Sequence, residues 1–60
     1  MPANLRAHYW LIVSTYQLGS LDLAKHRLFH AKDILTSEEY SILEDYLRKE
    51  DGVPLEKLIR

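Results

Sequence analysis

Tyr9-Trp10-Leu11-Ile12-Val13 is the stretch that decides the fold, because it places five large apolar side chains in a row. Successive residues of a helix turn by about 100°, so five of them cover every side of it. A helix of this kind needs apolar partners in several directions. Sixty residues supply only some of these partners, so we expect one side of this helix to meet another chain.

Length and composition predict a single globular domain spanning residues 1–60. A chain this short buries only about 60% of the surface that its unfolded form exposes. Such chains usually gain stability from disulfides, a structural metal or oligomerisation. The chain has no cysteine, which excludes disulfides and thiolate zinc sites, so oligomerisation is the expected source of stability and we expect a homo-oligomer. The absence of cysteine also fits a reducing cytoplasm. Hydrophobic residues make up 47% of the chain, which is too many for a disordered protein.

Charge is distributed unevenly along the chain, although the formal net charge is only -1. Residues 1–32 carry four basic residues and one acid, whereas residues 33–60 carry eight acids and four basic residues. A basic side and an acidic side are therefore expected. The N-terminal residues lack the pattern of an export signal, and the apolar run is shorter than the roughly 20 residues that span a bilayer. We expect a cytoplasmic protein without membrane contact.

Apolar spacing predicts two helices in the first half of the chain. Asn4 or Ala3 is expected to open the first helix, with Asn4 as the better N-cap, and Gly19 is expected to end it. Ser20 is the expected N-cap of a second helix over residues 21–34. The predicted buried residues of the first helix are Leu5, Tyr9, Ile12, Val13 and Tyr16. Those of the second helix are Leu21, Ala24, Leu28, Ala31 and Leu35.

The segment from Leu35 to Tyr40 has the pattern of a capping box. Thr36 is the expected N-cap, Glu39 lies three residues later, and Leu35 can pack on Tyr40 as a hydrophobic staple. This box predicts the start of a third helix, which Gly52 ends. Pro54 then suits the first position of a short fourth helix whose apolar residues fold back onto the others. The predicted fold class is therefore all-α, with three main helices and a short fourth.

Two parts of the sequence resemble short helical modules of bacteria and phages. The segment Leu35-Thr36-Ser37-Glu38-Glu39-Tyr40 resembles the turn of SHOCT-type modules, in which a leucine- or isoleucine-threonine-x-glutamate-glutamate-aromatic sequence joins two small helices. Trp10, Tyr16 and Gly19 are similar to residues of small phage proteins of the XkdX type. The resemblance implies a prokaryotic, phage or mobile-element protein with a helical, non-catalytic, protein-binding role.

Metal binding and catalysis receive little support from the sequence. His26, His30 and Asp33 share one helical face at i, i+4 and i+7, but two imidazoles and one carboxylate form an incomplete ligand set. A partly exposed polar face explains them as well, and we predict no metal and no cofactor. The serines lack the strained turn of a nucleophile elbow, and so small a chain can hardly enclose a substrate pocket. We therefore expect no enzymatic activity and no small-molecule substrate.

Protein binding is the function that the sequence favours, because its aromatic and apolar residues exceed what the core of so short a chain needs. The expected partner is a larger protein, a second copy of the chain, or both. The predicted protein-binding residues are Tyr9, Trp10, Leu11, Val13 and Tyr16.

A helix-turn-helix regulator that binds DNA is the alternative function. Its predicted nucleic-acid-binding residues are Lys25, Arg27 and Lys32 on the basic second helix, which follows the tight Gly19-Ser20 connection. The acidic third helix opposes this interpretation, since phosphate would repel it.

Overall fold

The computed structural model describes residues 2–59, with side chains through residue 58, and shows an all-α protein in that part of the chain. The four helices are α1 (Ala3–Gln17), α2 (Leu21–Ile34), α3 (Ser37–Lys49) and α4 (Leu55–Ile59). Helices α1, α2 and α3 pack around one core, and α4 closes it by packing on α2 and α3. The predicted fold class is confirmed.

Helix α1 begins at Ala3, one of the two residues expected to open it, but its N-cap differs from the predicted one. Pro2, not Asn4, is the N-cap, and no side chain accepts a hydrogen bond from the first turn. The backbone of Pro2 has φ -58° and ψ 150°, the extended conformation that suits an N-cap, and its ring fixes φ near this value. Asn4 therefore lies inside the first turn and caps nothing. The predicted N-cap was wrong by two residues.

The turn between α1 and α2 depends on Gly19, as predicted. Its φ is +83°, a left-handed conformation that glycine adopts without steric cost. The amide of Ser20 donates a 3.0 Å hydrogen bond to the carbonyl of Thr15, and the amide of Gly19 donates one to the carbonyl of Tyr16. This pair of bonds defines a Schellman motif. Ser20 occupies the N-cap position of α2, although its side chain makes no capping hydrogen bond.

The predicted capping box at the start of α3 is present. The amide of Glu39 donates to Thr36 Oγ1 at 3.2 Å, and the amide of Thr36 donates to Glu39 Oε1 at 3.0 Å. These two bonds satisfy amides that the helix itself leaves without acceptors. The start of α3 is thus determined by four neighbouring residues, which is why it could be predicted from the sequence.

Twelve apolar side chains form the core, and each main helix contributes some of them. The interior stripe predicted for α2 is correct except for Leu21, which begins the helix next to the turn and is exposed. Helix α4 contributes Leu55 and Leu58, so it folds back as expected. The core residues are Leu5, Ile12, Val13, Ala24, Leu28, Ala31, Leu35, Leu43, Leu47, Val53, Leu55 and Leu58.

Candidate protein-binding surface

The apolar run of α1 is divided between the core and the solvent. Ile12 and Val13 are buried, and Tyr9 is half-buried against the core. Trp10 is 58% exposed and Leu11 is 42% exposed. Two side chains of the run therefore keep about half of their surface exposed to solvent.

Val13 was predicted to bind a protein partner, but the structure places it in the core. Only 2% of its surface is exposed, because it faces the other helices of the same chain. A partner could contact it only if the core opened. Tyr9 and Tyr16 pack on the edge of the core, so they can border a binding surface without forming its centre. Trp10 and Leu11 remain as the exposed members of the predicted set.

Leu18 belongs to the same surface and was missing from the prediction. Its side chain is 82% exposed, the largest value among the exposed large apolar residues of the described chain. Leu18 follows Leu11 by seven residues, which places the two on one side of a helix. That spacing was readable in the sequence, since both residues fall outside the stripe that forms the core.

One uncharged side of α1 collects these residues, and we call it the outer face of α1. Its members fall within an arc of roughly 100° around the helix axis. All of them are exposed, and none of them has an ionisable side chain. The outer face of α1 consists of Ala3, Ala7, Trp10, Leu11, Ser14 and Leu18.

Tyr9 links the back of α1 to α3 and to the segment that follows it. Its hydroxyl donates a hydrogen bond to a carboxylate oxygen of Asp51, 42 residues away in the sequence. Its ring also packs edge-to-face on Tyr46, with centroids 5.9 Å apart and planes at 70°. The Trp10 ring packs edge-to-face on the Tyr9 ring, with the ring centroids 5.6 Å apart. These contacts hold α1 in one orientation and thereby present Trp10 to the solvent.

The hydrogen bond to Asp51, together with burial, raises the pKa of Tyr9 to about 12. The neutral phenol is therefore favoured in the folded state, and this stabilisation is present below the ordinary pKa of 10.0. It is lost as the pH rises from that value towards 12, where Tyr9 also ionises in the folded protein. Burial, with a smaller effect of Glu44, raises the pKa of Tyr40 and adds to the same alkaline loss.

We expect Tyr9→Phe to lower the free energy of unfolding at neutral pH by about 0.5–1.5 kcal/mol, since it removes one hydrogen bond. We also expect the variant to lose less stability than the wild type at alkaline pH, because only the Tyr40 contribution remains. Urea unfolding at several pH values between about 8 and 12 measures both effects. Equal alkaline losses in the two proteins would show that the Tyr9–Asp51 bond does not contribute.

The three basic residues predicted to bind DNA do not share one surface. Lys25 and Lys32 are exposed on the same side of α2, but Arg27 lies roughly opposite them around the helix. The Nε atom of Arg27 is buried and has no hydrogen-bond partner among residues 2–59. The N-terminal turn of α2, which would contact base edges in a helix-turn-helix protein, contains the carboxylate of Asp22. The geometry therefore favours DNA binding less than protein binding.

His26 and His30 stack with their ring planes 6° apart and their centroids 6.4 Å apart. Within the part of the chain that the structure describes, no cluster of three or more histidines and acids could hold a metal ion. No helix in the same part is long and apolar enough to cross a bilayer.

Two shallow clefts lie on the charged sides of the bundle. The larger has a volume of about 480 Å³ and runs along α2. Its lining residues are Asp22, Lys25, His26, Leu28, Phe29, Lys32, Tyr40 and Leu58. The smaller has a volume of about 280 Å³ on α3, and its lining residues are Ile42, Asp45, Tyr46, Lys49 and Glu50.

Comparison with known proteins gives no match, whether to protein families, to curated proteins or to solved structures. The surfaces described above are therefore the features that bear on function.

Proposed function

We propose that the protein is a non-catalytic binding module that regulates or inhibits a larger protein, and that it binds this partner through the outer face of α1. One observation carries the proposal. The outer face of α1 exposes Trp10 and Leu18 without any charged side chain, while the rest of the bundle surface is rich in charge. Exposed apolar surface of this kind is characteristic of interaction sites.

The residue types on this face fit a helix that packs against a partner. The side chain of Trp10 combines a large apolar ring system with one N–H donor. Tryptophan is common among the interface residues that contribute most of the binding free energy. Ala7 and Ser14 are small, seven residues apart, and lie beside Leu11 and Leu18. Small residues at this spacing let a partner helix approach closely, while the leucines fill the space between them.

The resemblance to SHOCT-type and XkdX-type modules implies a prokaryotic, phage or mobile-element protein, so the proposed partner is a bacterial or phage-encoded protein. The absence of cysteine supports a cytoplasmic location for the complex. The chain carries a nearly balanced charge of -1, so long-range attraction to nucleic acid is not what drives this binding.

Leu18→Glu tests the proposal, since it places a charge at the most exposed apolar position of the outer face of α1. We expect this variant to recover the partner at least about tenfold less efficiently than the wild type in quantitative affinity purification from the native host. Leu23→Glu is the matched control, because Leu23 is a 43% exposed leucine that lies on α2 and is not a member of that face.

The control should recover the partner as well as the wild type does. Full recovery by Leu18→Glu, or an equal loss in both variants, would contradict the proposed binding surface. Circular dichroism of the two variants establishes that both remain helical.

A further inference from the structure

Helix α2 presents a second exposed surface, on the side that borders the larger cleft. Asp22, Lys25, Phe29 and Lys32 follow one another at steps of three, four and three residues, which places them on one side of the helix. All four are exposed, and Phe29 is 67% exposed. In chain order this α2 stripe reads acidic, basic, apolar, basic.

Helix α3 presents a stripe of its own on the side that faces away from the core. Glu38, Ile42, Asp45 and Lys49 follow at steps of four, three and four residues. All four are exposed, and the last three border or line the smaller cleft. In chain order this α3 stripe reads acidic, apolar, acidic, basic.

The α3 stripe is the complement of the α2 stripe when the two helices run antiparallel. With Phe29 opposite Ile42, every charge of one stripe meets the opposite charge of the other, and the spacings agree to within one residue. The pairs are Asp22 with Lys49, Lys25 with Asp45, Phe29 with Ile42, and Lys32 with Glu38.

A parallel arrangement pairs fewer residues. It also brings lysines opposite acids on both sides of Phe29, but it leaves Asp22 and Lys49 without partners. In addition, it aligns the two helix dipoles in the same direction, whereas antiparallel helices place opposite ends side by side. The antiparallel register is therefore the favoured one.

These complementary charges do not meet within one molecule. Both stripes face the solvent, and Arg48 with Glu56 at 3.9 Å forms the only ion pair among residues 2–59. The cleft along α2 has room for an apolar side chain, and Ile42 is 44% exposed on α3. A second copy of the chain carries the complement of each stripe, and a net charge of -1 causes little repulsion between copies.

We propose that the protein self-associates by antiparallel packing of the α2 stripe of one copy against the α3 stripe of another. The two stripes share no residue with the outer face of α1, so a partner protein and a second copy would contact different residues. The inference is independent of the proposed function, because different residues carry each.

Charge reversal at one pair tests the contact by sedimentation equilibrium of the full chain. Lys25→Glu and Asp45→Lys should each weaken self-association by about tenfold, since each replaces an attraction with a repulsion. The double variant, with both changes in one chain, should regain the wild-type dissociation constant. Higher salt should weaken wild-type association, because the charged pairs are at the surface.

Glu38→Lys separates the two registers, since Glu38 opposes Lys25 only in the parallel arrangement. Restoration of association in Lys25→Glu by Glu38→Lys, and not by Asp45→Lys, would overturn the proposed packing. A wild-type chain that is monomeric at about 0.1 mM would overturn it as well.

Arg6→Glu is the matched control, because it makes the same change in charge at an exposed position of α1. It should leave self-association unchanged, and Leu18→Glu should do the same. A loss in Arg6→Glu equal to that in Lys25→Glu would show that net charge alone decides association. Loss of the partner in Leu18→Glu together with intact self-association would confirm that the two surfaces are separate.

Discussion

We expect Leu43→Ala to lower the free energy of unfolding by about 2–5 kcal/mol. Leu43 lies on α3, is completely buried and belongs to the core that all four helices share. Its truncation removes buried apolar surface and leaves a cavity that the surrounding helices fill only in part. A 60-residue domain has a total stability of roughly 3–9 kcal/mol, so this loss is a large fraction of the total and would unfold much of a protein at the lower end of that range.

Ile42→Ala is the matched control for this prediction, since Ile42 is the preceding residue of the same helix but is 44% exposed. Ile42→Ala should lower the free energy of unfolding by about 0.5 kcal/mol, as an ordinary surface substitution does. Loss of the apolar contacts of its buried half raises this value to about 1 kcal/mol at most. Urea unfolding followed by circular dichroism measures both values. Similar losses in the two variants would contradict the described core.

The sequence was sufficient to predict the elements that local signals determine. The range of α2 was predicted correctly because Gly19 and Ser20 mark its beginning and the capping box after Leu35 marks the beginning of the next helix. The N-cap of α1 was predicted wrongly, since a proline two residues before Asn4 also serves as an N-cap. Local capping signals thus predict the end of a helix correctly when only one nearby residue can serve as the cap.

The interior stripes were predictable from spacing, but their edges were not. Leu21 continues the stripe of α2 by periodicity and is nevertheless exposed, because a position next to the turn lies at the margin of the core. Val13 could be assigned to the core and to a binding surface at once, since every side of an apolar run is equally apolar. Only the packing of α2 and α3 decides which side is covered.

Contacts between distant residues could not be predicted at all. Tyr9 and Asp51 are far apart in the sequence, and neither lies in a motif that indicates the other. Their hydrogen bond helps to fix the rotation of α1, and the rotation determines that Trp10 and Leu18 point outward. The candidate binding surface therefore depends on tertiary structure, although the excess of apolar residues indicated its existence.

We expect Trp10→Ala to weaken partner binding by about 2 kcal/mol or more, equivalent to roughly thirtyfold. Trp10 lies halfway along the length of the outer face of α1, at one edge of its arc, with 58% of its surface exposed. A partner that covers this face removes the exposed indole from water, and alanine would lose that apolar contact. The effect on folding should be smaller, since 58% of the surface of Trp10 is already exposed in the folded chain.

The most direct test of the central claim compares binding and stability in the same Trp10→Ala preparation. Urea unfolding should show a loss of no more than about 1 kcal/mol, and quantitative affinity purification should show that the partner is lost. That result is expected if the outer face of α1 is a binding surface. A loss of several kcal/mol in stability with partner binding retained would contradict the account and place Trp10 in the core of the monomer.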